Sequence, residues 1–437
     1  MKIRSRSDLD FMERIQREVT SDRHHDAYYE AKLSAAWRRA AETPAYSALG
    51  EFSMKAFRDL PVTPKSRLKA APLEFVRIPV AVALKYYQTT GTTGRPTPTP
   101  RTANDMIANT VSVAEAWRPL LTVQDHRALI LLPSDIVPVA DLIVGVCEFL
   151  RVPHVKAYPF TTGISDWDRV IELCKVFRPT VLFAAPGVLL QFSEVLKRRE
   201  LLDQLRSPVG MLMLLGEVST TELRGMVGKW WDARAFDASY GSTESGTLAA
   251  CCAHDQLHLL PGANYFEIQT DHGISPAVPG RSGLLITTPL NNDARPLLRL
   301  EMGDEVSLTG DCPCGSAAPG VTVHGRESDA TEIKGVRVMT RDVEGIVYGT
   351  AEVMGYLIET DESCSWARLL LERVPGADRA AEPKTAELIQ LRMHRTLQFR
   401  WDDVQFVNRL AITTKSGGSQ KSWKRSNFRV VNTAEAS

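Results

Sequence analysis

Residues 180–200 read TVLFAAPGVLLQFSEVLKRRE. A short apolar run rich in strand-favouring residues ends at a proline. Apolar residues then recur at helical spacing among Gln, Glu, Lys and Arg. This is the pattern of a buried strand followed by an amphipathic helix. The same pairing occurs on both sides. RALILL (127–132) precedes ADLIVGVCEFLR (140–151), and HVKAYPF (154–160) precedes DWDRVIELCKVF (166–177). Downstream, GMLMLLGE (210–217) precedes TTELRGMVGKWW (220–231). Apolar strands alternating with helices imply a parallel sheet with helical crossovers, hence α/β architecture. In such sheets ligands sit beyond the carboxyl ends of the strands.

The flanks differ. Residues 26–42 (DAYYEAKLSAAWRRAAE) have helical spacing, whereas residues 57–76 (FRDLPVTPKSRLKAAPLEFV) carry three prolines and read as a helix-poor connector. From about residue 265 to 322, YFEIQT, GLLITTPL and PLLRLEMGDEVSL read as strands joined by turns, an antiparallel β subdomain. Beyond Gly325 come a strand in IKGVRV, a helix in DVEGIVYGTAEV, a strand in SWARLLLERV, a helix in KTAELIQLRMHRTLQF and a strand in DVQFVNRL. These form a small α+β domain, and the polar tail reads as frayed.

The chain has 437 residues, too many for one ordinary core, so two or more domains are expected. Its formal net charge of +0 supplies no global field to attract nucleic acid or an anionic membrane. The longest apolar runs are too short to span a bilayer, and the first residues lack the apolar run of a secretory signal. Seven cysteines, an odd number in a long chain, argue against a disulfide framework. A cytoplasmic protein with reduced thiols is expected.

Four stretches carry chemistry. In QTTGTTGRPT (88–97), glycines permit close backbone approach to an anion, and threonine hydroxyls and amides can ring a phosphate. Taken alone it reads equally well as a solvated turn, and it lacks the GxxxxGK[ST] pattern. In ASYGSTESG (238–246), Tyr240 offers a ring for a planar base and Glu244 an oxygen ligand for Mg²⁺. In PLLRLEMGDEV (296–306), Asp304 follows Gly303, where a carboxylate can accept from two vicinal hydroxyls; an ordinary Gly-Asp turn is the alternative. Finally, Arg326 stands in HGRESDATEIKGVRV at the expected domain boundary.

In their order and intervals these stretches resemble the adenylate-forming superfamily of acyl-CoA synthetases, luciferases and adenylation domains. The chain looks most like the phenylacetate–CoA ligase branch. The resemblance rests on LPVTPKSRLK, TTGTTGRPT followed by TANDM, LGE, YGSTESG, PLLRLEMGD, CPCG and GRESDATEIKGVRVMTRDVE. It implies a large domain (1–326) of parallel-sheet α/β layers plus the antiparallel subdomain, a hinge at 327–328, and a small mobile C-terminal α+β domain (329–437). It also implies a two-step reaction. A carboxylate attacks the α-phosphate of ATP, releasing pyrophosphate, and a thiol, most commonly that of CoA, then displaces AMP. Carried over, Thr89, Thr90, Gly91, Thr92, Thr93, Gly94 and Arg95 hold the β- and γ-phosphates, with Arg95 where Lys is usual. Ser239, Tyr240 and Gly241 flank adenine, Thr243 and Glu244 serve the α-phosphate and Mg²⁺, Asp304 binds ribose, and Arg326 contacts the nucleotide. The family's late catalytic lysine falls in TTKSGGSQKSWKRSNF: Lys421 is the choice, with Lys424 and Lys415 as rivals.

Two further sets remain. CCAHDQLH (251–258) and CPCG (312–315) offer thiols and imidazoles which, joined in space, would make a tetrahedral S₃N site suited to structural zinc. The set is Cys252, His258, Cys312 and Cys314, with Cys251 able to replace Cys252; the resemblance to the phenylacetate–CoA ligase branch implies a similar set. Small residues in AAPG (184–187) and at Gly216–Glu217 would line an acid pocket with room for a flat ring, so an aryl or arylacetic acid is expected. CoA, a carrier-protein thiol, an amine or another acceptor stays open. So do a homodimer and a nucleotide-binding homologue without turnover.

Overall fold

The computed structural model describes residues 5–21, 24–88, 96–161, 163–326, 330–410 and 427–431. The chain divides into two compact units. One comprises Met1–Lys156 with Asp237–His324, and the other Ala157–Phe236 with Gly325–Ser437.

In the first unit, helix Arg6–Val19 opens with a capping box between Ser5 and Asp8. Its Ile15 packs with Ile107, Ala108 and Val111 of the long helix Ala103–Leu121. The proline-rich connector is not helix-poor. It holds the short helices Met54–Asp59 and Lys65–Ala70. Pro64 occupies the cap position of the second, where a missing N–H removes no helical hydrogen bond. The strands Ala128–Leu131 and His154–Lys156 run parallel around helix Val139–Leu150, as the alternation requires. The antiparallel subdomain is present: Asn264–Thr270, Ser282–Pro289 and Leu300–Thr309 pair in succession. Gly246–Cys251 pairs antiparallel with both Arg234–Ser242 and Leu257–Leu259.

In the second unit, Val181–Ala184 and Met211–Leu215 are parallel and buried throughout. Helices Trp167–Phe177, Pro186–Arg198 and Thr221–Trp231 accompany them. Its C-terminal part is a four-stranded sheet in the order Asp403–Val407, Ala367–Arg373, Val353–Thr360, Phe428–Val430, with helices Thr340–Thr350 and Glu382–Leu397. Two of these strands depart from the sequence reading. Val353–Thr360 is buried at every position, so it lacks the alternation that marks a half-exposed strand. Phe428–Val430 lies in the tail read as frayed, yet pairs parallel with it. Helix Thr340–Thr350 packs on helix Thr221–Trp231. None of the described helices is long and apolar enough to cross a membrane.

Candidate active site

The threonine–glycine stretch 89–95 lies outside the described residues; its two flanks do not. Strand Lys85–Gln88 enters it and strand Pro98–Arg101 leaves it, paired antiparallel with Gln88 opposite Pro98. The exit strand is clamped by two buried arginines. Arg295, fully buried, donates from Nη1 to the Pro98 carbonyl at 2.6 Å and from Nη2 to Thr99 Oγ1 at 2.9 Å. Arg101 donates from Nη2 to the carbonyls of Thr243 (2.8 Å) and Glu244 (3.1 Å). Burial drags the Arg295 guanidinium down to about 9, with Arg101 adding to the shift against the pull of Glu244 and Asp105. Asp105 caps the following helix through Thr102 and accepts from the Asp293 and Ala294 amides.

Thr243 and Glu244 occupy the turn between strands Arg234–Ser242 and Gly246–Cys251. The turn needs its glycines. A Cβ on Gly241 would lie 2.3 Å from the Gly246 carbonyl oxygen, and Gly246 has φ +85°. Glu244 is buried. Burial alone would raise its pKa, but Lys65, its own backbone, Arg295 and the Ser242 hydroxyl overcome that and hold it below the usual carboxylate value. The result is an ionised, buried carboxylate, which fits a hard cation. Lys65 belongs to the connector. Its neighbour Thr63 bridges to Leu300, and Lys65 Nζ donates to the Met302 carbonyl at 3.4 Å.

Asp304 stands where the pairing of Leu300–Thr309 with Ser282–Pro289 is interrupted: Glu301 faces Ile286, and Glu305 faces Leu284. The extra residues form a bulge with Gly303 at φ +71°. A bulge re-aims a side chain that a regular strand would point elsewhere. Here it brings the buried Asp304 carboxylate to the Tyr240 hydroxyl, which donates to it at 2.7 Å. Ser239 and Tyr240 lie opposite Ala250 and Ala249 on the same strand pair. Tyr240, Asp304, Thr243 and Glu244 therefore fall within one unit, with Lys65, Arg101 and Arg295 added to them. Sequence reading assigned none of these three a part. Lys65 and Arg101 sit in or beside quoted motifs, but only the folded structure brings them to the Glu244 turn.

In the second unit, Gly216 (φ +88°) turns the chain after Met211–Leu215, and Glu217 accepts the Gly187 amide at 3.1 Å. Two segments read as walls of the acid pocket are thus joined. Arg326 ends strand Gly320–Arg326. Lys421, Lys415, Lys424 and the hinge residues 327–328 lie outside the described residues.

Cys252, His258, Cys312 and Cys314 come together, their ligand atoms all within 4.8 Å of one another. His258 Nδ1 lies 2.8 Å from the Ala318 carbonyl, which leaves Nε2 facing Cys314 Sγ at 3.3 Å. The His254 and Ser316 amides donate to the sulfurs of Cys252 and Cys314. Amide donors stabilise thiolates, and a tethered Nδ1 fixes the imidazole for metal. These residues fit zinc. Cys251 does not join them: it closes a strand, is buried, and burial pushes its thiol far up.

No protein-family model matches the chain. It is 25% identical over 336 residues to a phenylacetate-coenzyme A ligase of Thermus thermophilus, covering 73% of this chain and 72% of that protein. It is 23% identical over 306 residues to a phenylacetate-coenzyme A ligase of Escherichia coli, covering 66% and 65%. Among solved structures, a 2-hydroxyisobutyryl-CoA ligase in complex with R3-HIB-AMP matches with a TM-score of 0.73 at 18% identity, over 98% of this chain and 90% of that one. At that identity the likeness is one of fold.

Proposed function

We infer that this chain, related by sequence and fold to the adenylate-forming superfamily and to its phenylacetate–CoA ligases in particular, is an AMP-forming acid–thiol ligase. It activates a carboxylic acid with ATP as an acyl-adenylate, releasing pyrophosphate, and then passes the acyl group to CoA. The observation that carries this reading is the grouping of Tyr240, Glu244 and Asp304 beside the strand that leaves the threonine–glycine loop. A free carboxylate resists nucleophiles because its charge shields the carbonyl carbon. Joined to AMP as a mixed anhydride it becomes a good electrophile, and the protein's part is positioning and charge stabilisation.

The residue roles follow. Residues 89–95 hold the departing phosphates. Glu244 holds Mg²⁺, which neutralises phosphate charge. Asp304 takes the ribose hydroxyls, Tyr240 and its neighbours flank the adenine, and Arg326 meets the nucleotide. Lys421 assists adenylation. Residues 327–328 act as a hinge on which residues 329–437 turn between the half-reactions, a turn that parts Glu344 from Thr220. The four Cys/His residues hold a zinc whose closed ligand set leaves no place for substrate, so its role is structural. We take the acid to be aryl or arylacetic, bounded in part by Gly187 and Glu217. The absence of a disulfide at any of the seven cysteines suits a reducing cytoplasm.

The test is pyrophosphate release with ATP and Mg²⁺ across aryl, arylacetic and aliphatic acids, before and after adding CoA. Release that depends on one acid class, followed by CoA-dependent AMP formation, is expected. ADP in place of AMP overturns the reading. Acid-dependent pyrophosphate release that CoA does not follow up moves the acceptor to a carrier-protein thiol or an amine.

A further inference from the structure

Arg101 is buried; burial lowers its pKa, and the charges of Asp105, Tyr87 and Glu244 offset this only in part. Its Nη2 donates to two successive backbone carbonyls, those of Thr243 and Glu244. Thr243 and Glu244 are the turn that carries the buried, ionised carboxylate. Arg101 itself closes the strand that leaves the threonine–glycine loop, and Lys85, opposite it in the hairpin, opens the strand that enters. At the other end of the exit strand Arg295 grips Pro98 and Thr99. One short strand is therefore fixed at both ends by guanidinium groups, and one of these reaches the turn that bears Glu244.

A charge buried at such cost calls for a role that a neutral side chain would not fill. Hydrogen bonds from a charged donor are about twice as strong as neutral ones, and inside the protein they are little screened. They hold the two carbonyls, and hence the backbone of Glu244, in fixed register with the exit of the loop. We propose that Arg101 is a positioning residue that ties the strand Pro98–Arg101, which follows residues 89–95 in the chain, to the Thr243–Glu244 turn, so that the binding of a nucleotide and of its metal ion are coupled. This rests on the nucleotide reading above. It adds a residue that acts through the backbone of Thr243 and Glu244. Its effect is specific: without Arg101 the loop and the carboxylate still exist, but the metal no longer gains from the nucleotide's presence, nor the nucleotide from the metal's.

Calorimetric titration of the full chain with ATP, with and without Mg²⁺ and without acid, separates the possibilities. Wild type, Arg101→Lys and Arg101→Met are compared, alongside their melting temperatures. In wild type Mg²⁺ tightens ATP. In Arg101→Met that gain falls about tenfold while metal-free ATP binding stays within about threefold, and Arg101→Lys, which keeps the charge but not the planar fork, restores part of it. An unchanged Mg²⁺ gain in a folded Arg101→Met variant overturns the proposal. If that variant does not fold, an unchanged gain in Arg101→Lys overturns it as well. Equal loss of ATP binding with and without Mg²⁺, together with a lowered melting temperature, assigns Arg101 a structural role and overturns it too. Wild-type protein that binds no ATP overturns the nucleotide reading itself, and this inference with it.

Discussion

Glu244 is a carboxylate that burial by itself would neutralise. The opposing charges of Lys65 and Arg295, its own backbone and the Ser242 hydroxyl keep it ionised instead. Because its pKa lies below the ordinary value, the charge persists across the neutral range and is lost only in acid. A preset anion of this kind suits Mg²⁺, and it suits a glutamine poorly. Glu244→Gln preserves shape and burial but removes the charge, so the protein should melt within a few degrees of wild type. Pyrophosphate release at saturating ATP should fall by about two orders of magnitude, the size of effect typical of losing one electrostatic group from a site. A variant that turns over normally takes Glu244 out of the metal role. Glu244 was legible in the sequence because YGSTESG is a compact motif. Lys65 and Arg295 were not, because they reach it from segments about 180 and 50 residues away along the chain.

At the scale of elements, two junctions carry specific expectations. The first brings Cys252, which follows the strand Gly246–Cys251, and His258 of Leu257–Leu259 together with Cys312 and Cys314, four side chains able to hold a metal. Purified protein should contain about one zinc per chain, and Cys314→Ala should lose it and lower the melting temperature. Metal-free protein of equal stability rules the zinc out. The second junction sets Glu344 of helix Thr340–Thr350 at the start of helix Thr221–Trp231, where it accepts the Thr220 amide at 3.0 Å. Burial raises the Glu344 pKa to about 7, Glu217 adds to this, and the Thr220 hydrogen bonds and Arg341 oppose it. An acid whose folded pKa is raised stabilises the fold least when it must ionise. The cost is absent below the unfolded pKa, grows as pH rises from there, and is complete above about 7. Glu344→Gln keeps the acceptor oxygen and removes that cost. It should match wild type near pH 4 and exceed it at pH 8, by up to about 3 kcal/mol. Thermal melts across that range that run parallel in the two proteins contradict the assignment. The helix–strand alternation and the antiparallel pairs were readable in advance, since each has a simple period. Val353–Thr360 was not, because a strand buried on both faces has no period to read. The bulge that turns Asp304 toward Tyr240 was half readable: the Gly-Asp pair signalled a turn, but only the pairing with Ser282–Pro289 shows it interrupting a strand.

For the whole molecule the question is how one chain would carry out the two proposed reactions on one acyl group. The adenylation step needs pyrophosphate held and the carboxylate brought to the α-phosphate; the transfer step needs neither, but needs room for a thiol. A group used in only one of them should betray itself kinetically, because a mutation there lowers one rate and leaves the other. Lys421, proposed for the first step, is such a group. Its motif is stretched relative to the family's Gly-Lys pair, with Ser419 and Gln420 between Gly418 and Lys421. That makes Lys415 and Lys424 its rivals. Lys421→Ala should lower acid-dependent pyrophosphate release by about a hundredfold, while thioester formation from pre-formed acyl-adenylate and CoA stays within a few fold of wild type. The same pair of assays on Lys415→Ala and Lys424→Ala decides among the three, since only the true residue divides the half-reactions. Equal losses in both steps for Lys421→Ala indicate damage to the fold and exclude it from the chemistry. A split produced by Lys424→Ala instead relocates the role by three residues and leaves the two-step scheme intact. If none of the three splits the steps, adenylation here proceeds without a lysine from this segment, and charge on the α-phosphate is met by other groups, the proposed Thr243 and Glu244-held Mg²⁺ first among them.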